Sequence, residues 1–509
     1  MRKTGTRSEN GTAANQWNTP VYNALKSYTV SGTIPFHMPG HKLGCGIPYE
    51  FLSEIEKLDL TEIPGMDDLH KPEGILKEAH ELTAAAFGAR DSYFVVNGST
   101  VGIHAAIAAV CRPGQTLITG RDSHSSVING MLIAGVSPYY IMPEYSEPFR
   151  ISTGVRPGEI ERALDASPEA AGVLITRPNY YGVCCDIEKI AHIVHSHNKV
   201  LIVDEAHGPH LVFNKRLPVS SLEAGADICV QSAHKTLPAF TQGAYLHVGS
   251  DKVDIDRVEY FLDIYQTTSP SYIIMAFLDI AREVMQKYGE KLLDRLIDSI
   301  DENSVKFGND GIALLNREAV PGFDHDMTRI TANVTQFGIT GYDAEMLFRQ
   351  KYDIQAEMSD LSNIVFLCTA ADSPQRIEML FSAMRKFQHD YNPSRVTRGI
   401  SLPDISAVLN RNDLHKRLAE LFERQAEFCR IVAEPQDIIN SHTDKIRLED
   451  AVGRISKCTI SPYPPGTALV CPGEEICPEA VDFLLHAIKA GAKVHGLSSD
   501  MTVTVLSRK

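Results

Sequence analysis

Lys235 lies in Gln231-Ser232-Ala233-His234-Lys235-Thr236, a loop of small residues that follows the apolar run Asp227 to Val230. A lysine held at a strand end in such a loop can be partly buried. Burial lowers the pKa of an ammonium and frees the amine as a nucleophile toward an aldehyde. Asp204 and His207 lie in Val203-Asp204-Glu205-Ala206-His207-Gly208, directly after the apolar run Lys199 to Val203. A carboxylate there can hold a protonated ring nitrogen, or it can cap a helix. Asn97-Gly98-Ser99-Thr100 opens a helical stretch that begins at Val101. Backbone N–H groups and two hydroxyls at a helix start suit a phosphate, although Ser and Thr are also ordinary N-caps. His124, in Asp122-Ser123-His124-Ser125-Ser126, falls between the first and second of these points along the chain. Its ring could cover another ring.

Each signal is weak alone, and the combination is not. A phosphate cradle, an acid for a pyridinium nitrogen and a lysine able to form a Schiff base follow in chain order. These are the three attachments that pyridoxal 5′-phosphate (PLP) requires.

Such groups need strand ends to hold them. From about residue 73 the chain alternates helical and apolar stretches. Ile75 to Phe87, Val101 to Val110 and Ile187 to His197 have helical spacing. Ser92 to Val96, Gly172 to Thr176, Lys199 to Val203 and Asp227 to Val230 are short strand-like runs. That alternation predicts an α/β fold with a mostly parallel sheet covered on both faces, and ligands bind such sheets at the carboxyl ends of the strands. The Pro/Gly/His-rich segment Phe36 to Lys42 fits neither a regular helix nor a central strand. Helical spacing returns from Tyr272 to Ile300. A mixed region from Ile312 to Gln388, with strand-like runs at Ile330 to Gln336 and Asn363 to Cys368, predicts a smaller α+β domain. A last helical piece is expected around Leu414 to Val432. The expected division is an N-terminal tail and arm over 1–70, a PLP-binding large domain over 71–275, a small α+β domain over 276–395 and a C-terminal domain over 396–509.

The chain has 509 residues and a formal net charge of −15. That surface repels nucleic-acid phosphates and acidic lipid. The string Asp204-Glu205-Ala206-His207 also spells a helicase motif, but no GxxxxGK[ST] phosphate loop accompanies it. The ten cysteines form no CxxC pair, and Cys471 and Cys477 lack the partners of a zinc site. No metal is expected. The polar first 15 residues do not resemble a signal peptide, and no apolar run is long enough to span a bilayer. The expected location is the cytoplasm.

Seven segments together resemble the Orn/Lys/Arg decarboxylase family of fold type I PLP enzymes, in its shorter form. They are FHMPGHKLG (36–44), MDDLHKPEG (66–74), NGST (97–100), DEAHGPH (204–210), SAHK (232–235), TTSPSY (267–272) and YPPGTALVCPGEE (463–475). The resemblance implies roles. Lys235 would carry PLP as an imine, Asp204 would face the pyridine nitrogen, Ala206 would pack on the ring and His124 would stack on its other face. Gly98, Ser99, Thr100, Ser232 and His234 would cradle the phosphate. Thr268 or Ser269 would reach the phosphate of a partner subunit, because sites of this fold form at a dimer interface. A homodimer or a higher even-numbered assembly is implied. The chain departs from the family pattern at Pro238, Phe240 and Gly243 after the lysine, at Ser125-Ser126 after His124, and at Pro178-Asn179-Tyr180. These departures bear on the substrate more than on the cofactor.

The expected reaction is loss of CO2 from arginine, lysine or ornithine, with arginine slightly ahead of lysine. Lys235 or His207 would return a proton to Cα. A substrate ammonium or guanidinium needs an acid in the pocket, and Asp67, Asp68, Glu357 and Asp360 are candidates. Two other readings share these residues. One is an aminotransferase or β-eliminating lyase, the former with an arginine from the small domain on the substrate carboxylate. The other is a catalytically silent relative that senses an amino acid or binds a partner.

Overall fold

The computed structural model of the protein describes residues 18–307, 311–391, 430–463, 468–489 and 491–508. Its centre is a seven-stranded sheet. The strands in chain order are β1 (Asp91–Val95), β2 (Thr116–Gly120), β3 (Ser137–Ile141), β4 (Gly172–Thr176), β5 (Val200–Asp204), β6 (Ile228–Gln231) and β7 (Ala244–Val248). Their order across the sheet is β1-β7-β6-β5-β4-β2-β3. Only β7 runs against its neighbours. Six strands therefore point their carboxyl ends to one edge.

Side chains alternate between the faces of a strand, and both faces here are covered. Val173, Ile175, Leu201 and Val203 enter one apolar layer, while Leu174 and Ile202 enter the other. All six are buried, and each such burial stabilises by about 1.5–3 kcal/mol. The expected parallel-rich α/β architecture is present. Sequence patterning located β1, β4, β5 and β6 within a residue or so and passed over β2, β3 and β7. Pro138 argues against a strand, but β3 is a sheet edge, where the missing N–H does no harm.

Helix α1 (Ile75–Phe87) precedes β1, α2 (Ser99–Val110) follows it, and α3 (Ser125–Ala134) follows β2. The 36-residue α4 (Tyr272–Phe307) leads to a second, antiparallel sheet that contains β8 (Arg329–Asn333) and β9 (Asn363–Leu367). A segment before the main sheet joins this part: Ile34–Phe36 pairs in parallel with Ile354–Ala356. The C-terminal residues build a separate apolar cluster around Leu448, Ile460, Leu484 and Val505. The helical piece expected at Leu414 to Val432 lies, up to residue 429, outside the described residues. Ile431 is extended and bridges Glu474.

Among the described residues, no helix is long and apolar enough to cross a membrane. No group of three His, Cys, Asp or Glu there could hold a metal.

Candidate active site

Asp204 is the last residue of β5, and its register partner on β6 is Val230. Five residues beyond Val230 comes Lys235, in the single helical turn Ala233–Thr236. The sheet thus sets the acid and the lysine at the ends of adjacent strands. Asp204 is buried, and its Oδ1 accepts the Ala206 N–H at 3.2 Å. Lys235 is half-buried, and protein crowds its amine. Burial pushes the amine down to about 8, with Arg329 adding to the effect and Asp204 and Glu357 opposing it.

The phosphate-type segment stands at the same sheet edge. Gly98 has φ of +82°, a left-handed conformation that turns β1 into α2. Ser232 Oγ donates to Ser99 Oγ at 2.7 Å, so the two loops meet through the hydroxyls expected to bind one anion. Thr100 is exposed beside them. His234 Nδ1 lies 3.0 Å from the Gly243 carbonyl oxygen, and burial brings its pKa down to about 4. His124 is the N-cap of α3, its Nδ1 accepting from Ser126 N–H at 3.1 Å. Its ring is solvent-accessible, yet protein surrounds it closely enough for burial to lower its pKa.

His207 is buried, and its Nε2 lies 3.0 Å from Lys235 Nζ. On its other side, Arg329 Nη2 donates to His207 Nδ1 at 2.6 Å. Arg329 comes from β8 and is buried; among the described residues, its Nε and Nη1 have no hydrogen-bond partner. Tyr180 sets its ring edge-on to His207 with centroids 4.9 Å apart. Sequence reasoning missed Arg329, for which no local pattern gives a signal. Its position in the small domain is the one anticipated for an aminotransferase arginine.

The four candidate acids separate by their partners. Asp67 accepts N–H groups of Asp68, Glu73, Gly74 and Leu76 at 2.8–3.0 Å, which against slight burial hold it at about 2. It ties down the turn before α1. Asp68 is exposed and accepts the His70 N–H at 2.9 Å. Asp360 accepts from Tyr181 Oη at 2.7 Å and from Ser362 and Asn363 N–H groups. Glu357 alone of the four acts electrostatically on Lys235 and Arg329, while its Oε2 accepts Met38 N–H at 2.8 Å. Thr268 and Ser269 are exposed, and the Thr267 N–H beside them donates to Asn97 Oδ1 at 3.0 Å.

Two further segments of the family pattern act as supports. In the first, Gly40 N–H donates to the His234 carbonyl at 2.8 Å. A Cβ on Gly40 would lie 2.6 Å from Leu237 O and 2.7 Å from Thr236 C. Lys42, also buried, donates through Nζ to the carbonyls of His37 and Leu367. In the second, Glu474 pairs with Arg121, three residues before His124, and also accepts Cys471 N–H at 2.7 Å.

A sheet ordered in this way, with a lysine and an acid at neighbouring strand ends, defines the fold type I architecture of PLP enzymes. The Orn/Lys/Arg decarboxylase major domain matches residues 19–312, and the C-terminal domain of the same family matches residues 416–507. The chain belongs to the Orn/Lys/Arg decarboxylase family. It is 34% identical over 508 residues to an arginine decarboxylase of Bacillus anthracis, covering 96% of this chain and 97% of that one. It is 33% identical over 489 residues to an arginine decarboxylase of Bacillus subtilis, covering 94% and 96%. The crystal structure of the Francisella novicida lysine decarboxylase has the same fold, with a TM-score of 0.73 at 20% identity over 96% of this chain and 83% of that one.

Proposed function

We propose that the protein removes the α-carboxylate of a basic amino acid as CO2 with PLP bound at Lys235, and that arginine is the preferred substrate. One observation carries the reading: a crowded lysine amine with its pKa near 8 at the carboxyl end of β6, beside a buried carboxylate at the end of β5. The similarity to two arginine decarboxylases supports the choice of arginine.

The residues present fit the cofactor. The linked hydroxyls of Ser99 and Ser232, with Gly98, Thr100 and His234, form the cradle for a phosphate. Asp204 would be the counter-charge for a protonated ring nitrogen, and His124 and Ala206 would hold the ring between them. Bound there, PLP supplies an electron sink for the pair left behind as CO2 departs. The protein supplies the rest. Lys235 presents an amine, Asp204 holds a proton on the ring, and the buried walls exclude water and fix orientation. Glu357 receives the distal cation of the substrate. A second copy of the chain completes the phosphate site through Thr268, so the working unit is a homodimer or a larger even-numbered assembly, and the cytoplasm is its location.

Purified protein should be yellow, absorbing near ~420 nm as expected for a protonated PLP imine. Lys235→Ala should lose the bound colour and turnover together. Mass spectrometry of products from a mixture of Arg, Lys and Orn identifies the substrate. Full turnover in Lys235→Ala would end the proposal. Because Arg329 comes from the second sheet, and an aminotransferase would place an arginine for the substrate carboxylate in its small domain, the same assay should follow keto acids. Keto acid without CO2 would replace decarboxylation by transamination.

A further inference from the structure

We propose that Arg329 is a positioning residue that fixes the tautomer of His207, so that the imidazole turns its Nε2–H toward Lys235 Nζ and favours the neutral form of that amine. The inference rests on the reading of Lys235 as the reactive amine and adds the device that keeps it reactive.

The argument is one of donors and acceptors. A guanidinium carries N–H donors and no acceptor. At 2.6 Å from Arg329 Nη2, His207 Nδ1 must therefore accept. An imidazole that accepts at Nδ1 carries its proton on Nε2. Nε2 lies 3.0 Å from Lys235 Nζ, so at this contact Nζ must accept as well. An ammonium has no lone pair with which to do so. The three groups are mutually satisfied only when Lys235 is uncharged. If Lys235 were protonated, either Nδ1–H would face Arg329 or two donors would face each other.

The surroundings agree with this assignment. Burial, reinforced by the charge of Arg329, holds His207 well below its ordinary pKa, so it stays neutral. Lys235 faces Asp204 and Glu357 as opposing charges, and it is still lowered.

Arg329 could also lower the Lys235 pKa simply by its charge, and a double-mutant cycle separates the two. Competitive acetylation of the cofactor-free full-length protein with acetic anhydride, read by mass spectrometry of the Lys235 peptide, gives the pH midpoint of the amine. Arg329→Met should raise that midpoint by about one pH unit. In a His207→Gln background the side-chain amide supplies a donor toward Lys235 without help from Arg329, and the same Arg329→Met change should then have little effect. Circular dichroism checks that each variant is folded, and Arg329→Lys, which keeps a donor, should restore most of the midpoint. Equal shifts in both backgrounds would overturn the proposal in favour of direct charge, and no shift in either would overturn it outright. The labelling needs neither cofactor nor turnover. Failure of the decarboxylase reading would instead appear as a colourless, inactive wild type with its Lys235 midpoint unchanged.

Discussion

Arg121 and Glu474 form a buried, two-pronged ion pair, Nη1 to Oε1 and Nη2 to Oε2 at 2.5 and 2.7 Å, across 353 residues of chain. The guanidinium also lies 4.6 Å from the centroid of the Tyr140 ring. The pair fastens the C-terminal part of the protein to the loop that carries His124. Removing one partner strands a buried charge. Glu474→Ala should therefore destabilise the protein by about 3–5 kcal/mol, measured by urea unfolding, and weaken PLP binding. Replacing both by apolar residues, as in Arg121→Met with Glu474→Leu, should cost less than the single change. If the single variant unfolds at the wild-type urea concentration, the pair has no such role.

The amine of Lys235 sets a pH dependence. Its folded pKa of about 8 lies below the ~10.4 of an unfolded lysine. Between those values the unfolded chain binds a proton that the folded chain does not. This group's contribution to the stability of the cofactor-free protein therefore grows as pH rises through that window. The neutral fraction grows in the same direction. The rate at which cofactor-free protein develops ~420 nm absorbance with PLP should rise through pH 8 and then level. A rate that is flat from pH ~6 to ~10 is incompatible with the shift in Lys235.

Gly40 has no room for a methyl group against Thr236 and Leu237. Gly40→Ala should cost about 1–3 kcal/mol by overpacking and displace the turn that holds Lys235. The expected result is a lower melting temperature together with a loss of bound colour. An alanine variant with wild-type colour and melting temperature would show that the contact relaxes freely.

Glu357 should govern substrate affinity more than the chemical step. Glu357→Gln should raise KM for the preferred basic amino acid by about tenfold or more, with a smaller change in kcat. Steady-state kinetics on arginine and lysine decide it. An unchanged KM for both would remove Glu357 as the reader of the distal cation.

Much of the site could be read locally because strand ends carry it. Asp204, Lys235 and Ser99 each follow a short apolar run, so their neighbours in sequence announce them. Arg329 and Glu474 have no such announcement: they reach His207 and Arg121 from 122 and 353 residues away, and only the packing of the second sheet and the C-terminal part brings them in. The acids show the converse. Asp67 and Asp360 look like substrate ligands from charge alone, but their oxygens are occupied by N–H and hydroxyl donors of their own turns. A composition of charges says which residues could bind a cation, while turn geometry says which are already engaged. Of the strands that went unread, β3 was hidden by Pro138, which only an edge position tolerates.

The stretch from Ile34 to Lys42 belongs to two structures at once. Its first three residues extend a pairing at Ile354–Ala356, and its next residues brace the Lys235 turn and bond to the end of β9. It works as a strap riveted at both ends. Any swing of the second sheet away from the first must either tear those rivets or drag the reactive lysine along. The turn that holds Lys235 is thus a fixed piece, tied to both sheets by one short segment.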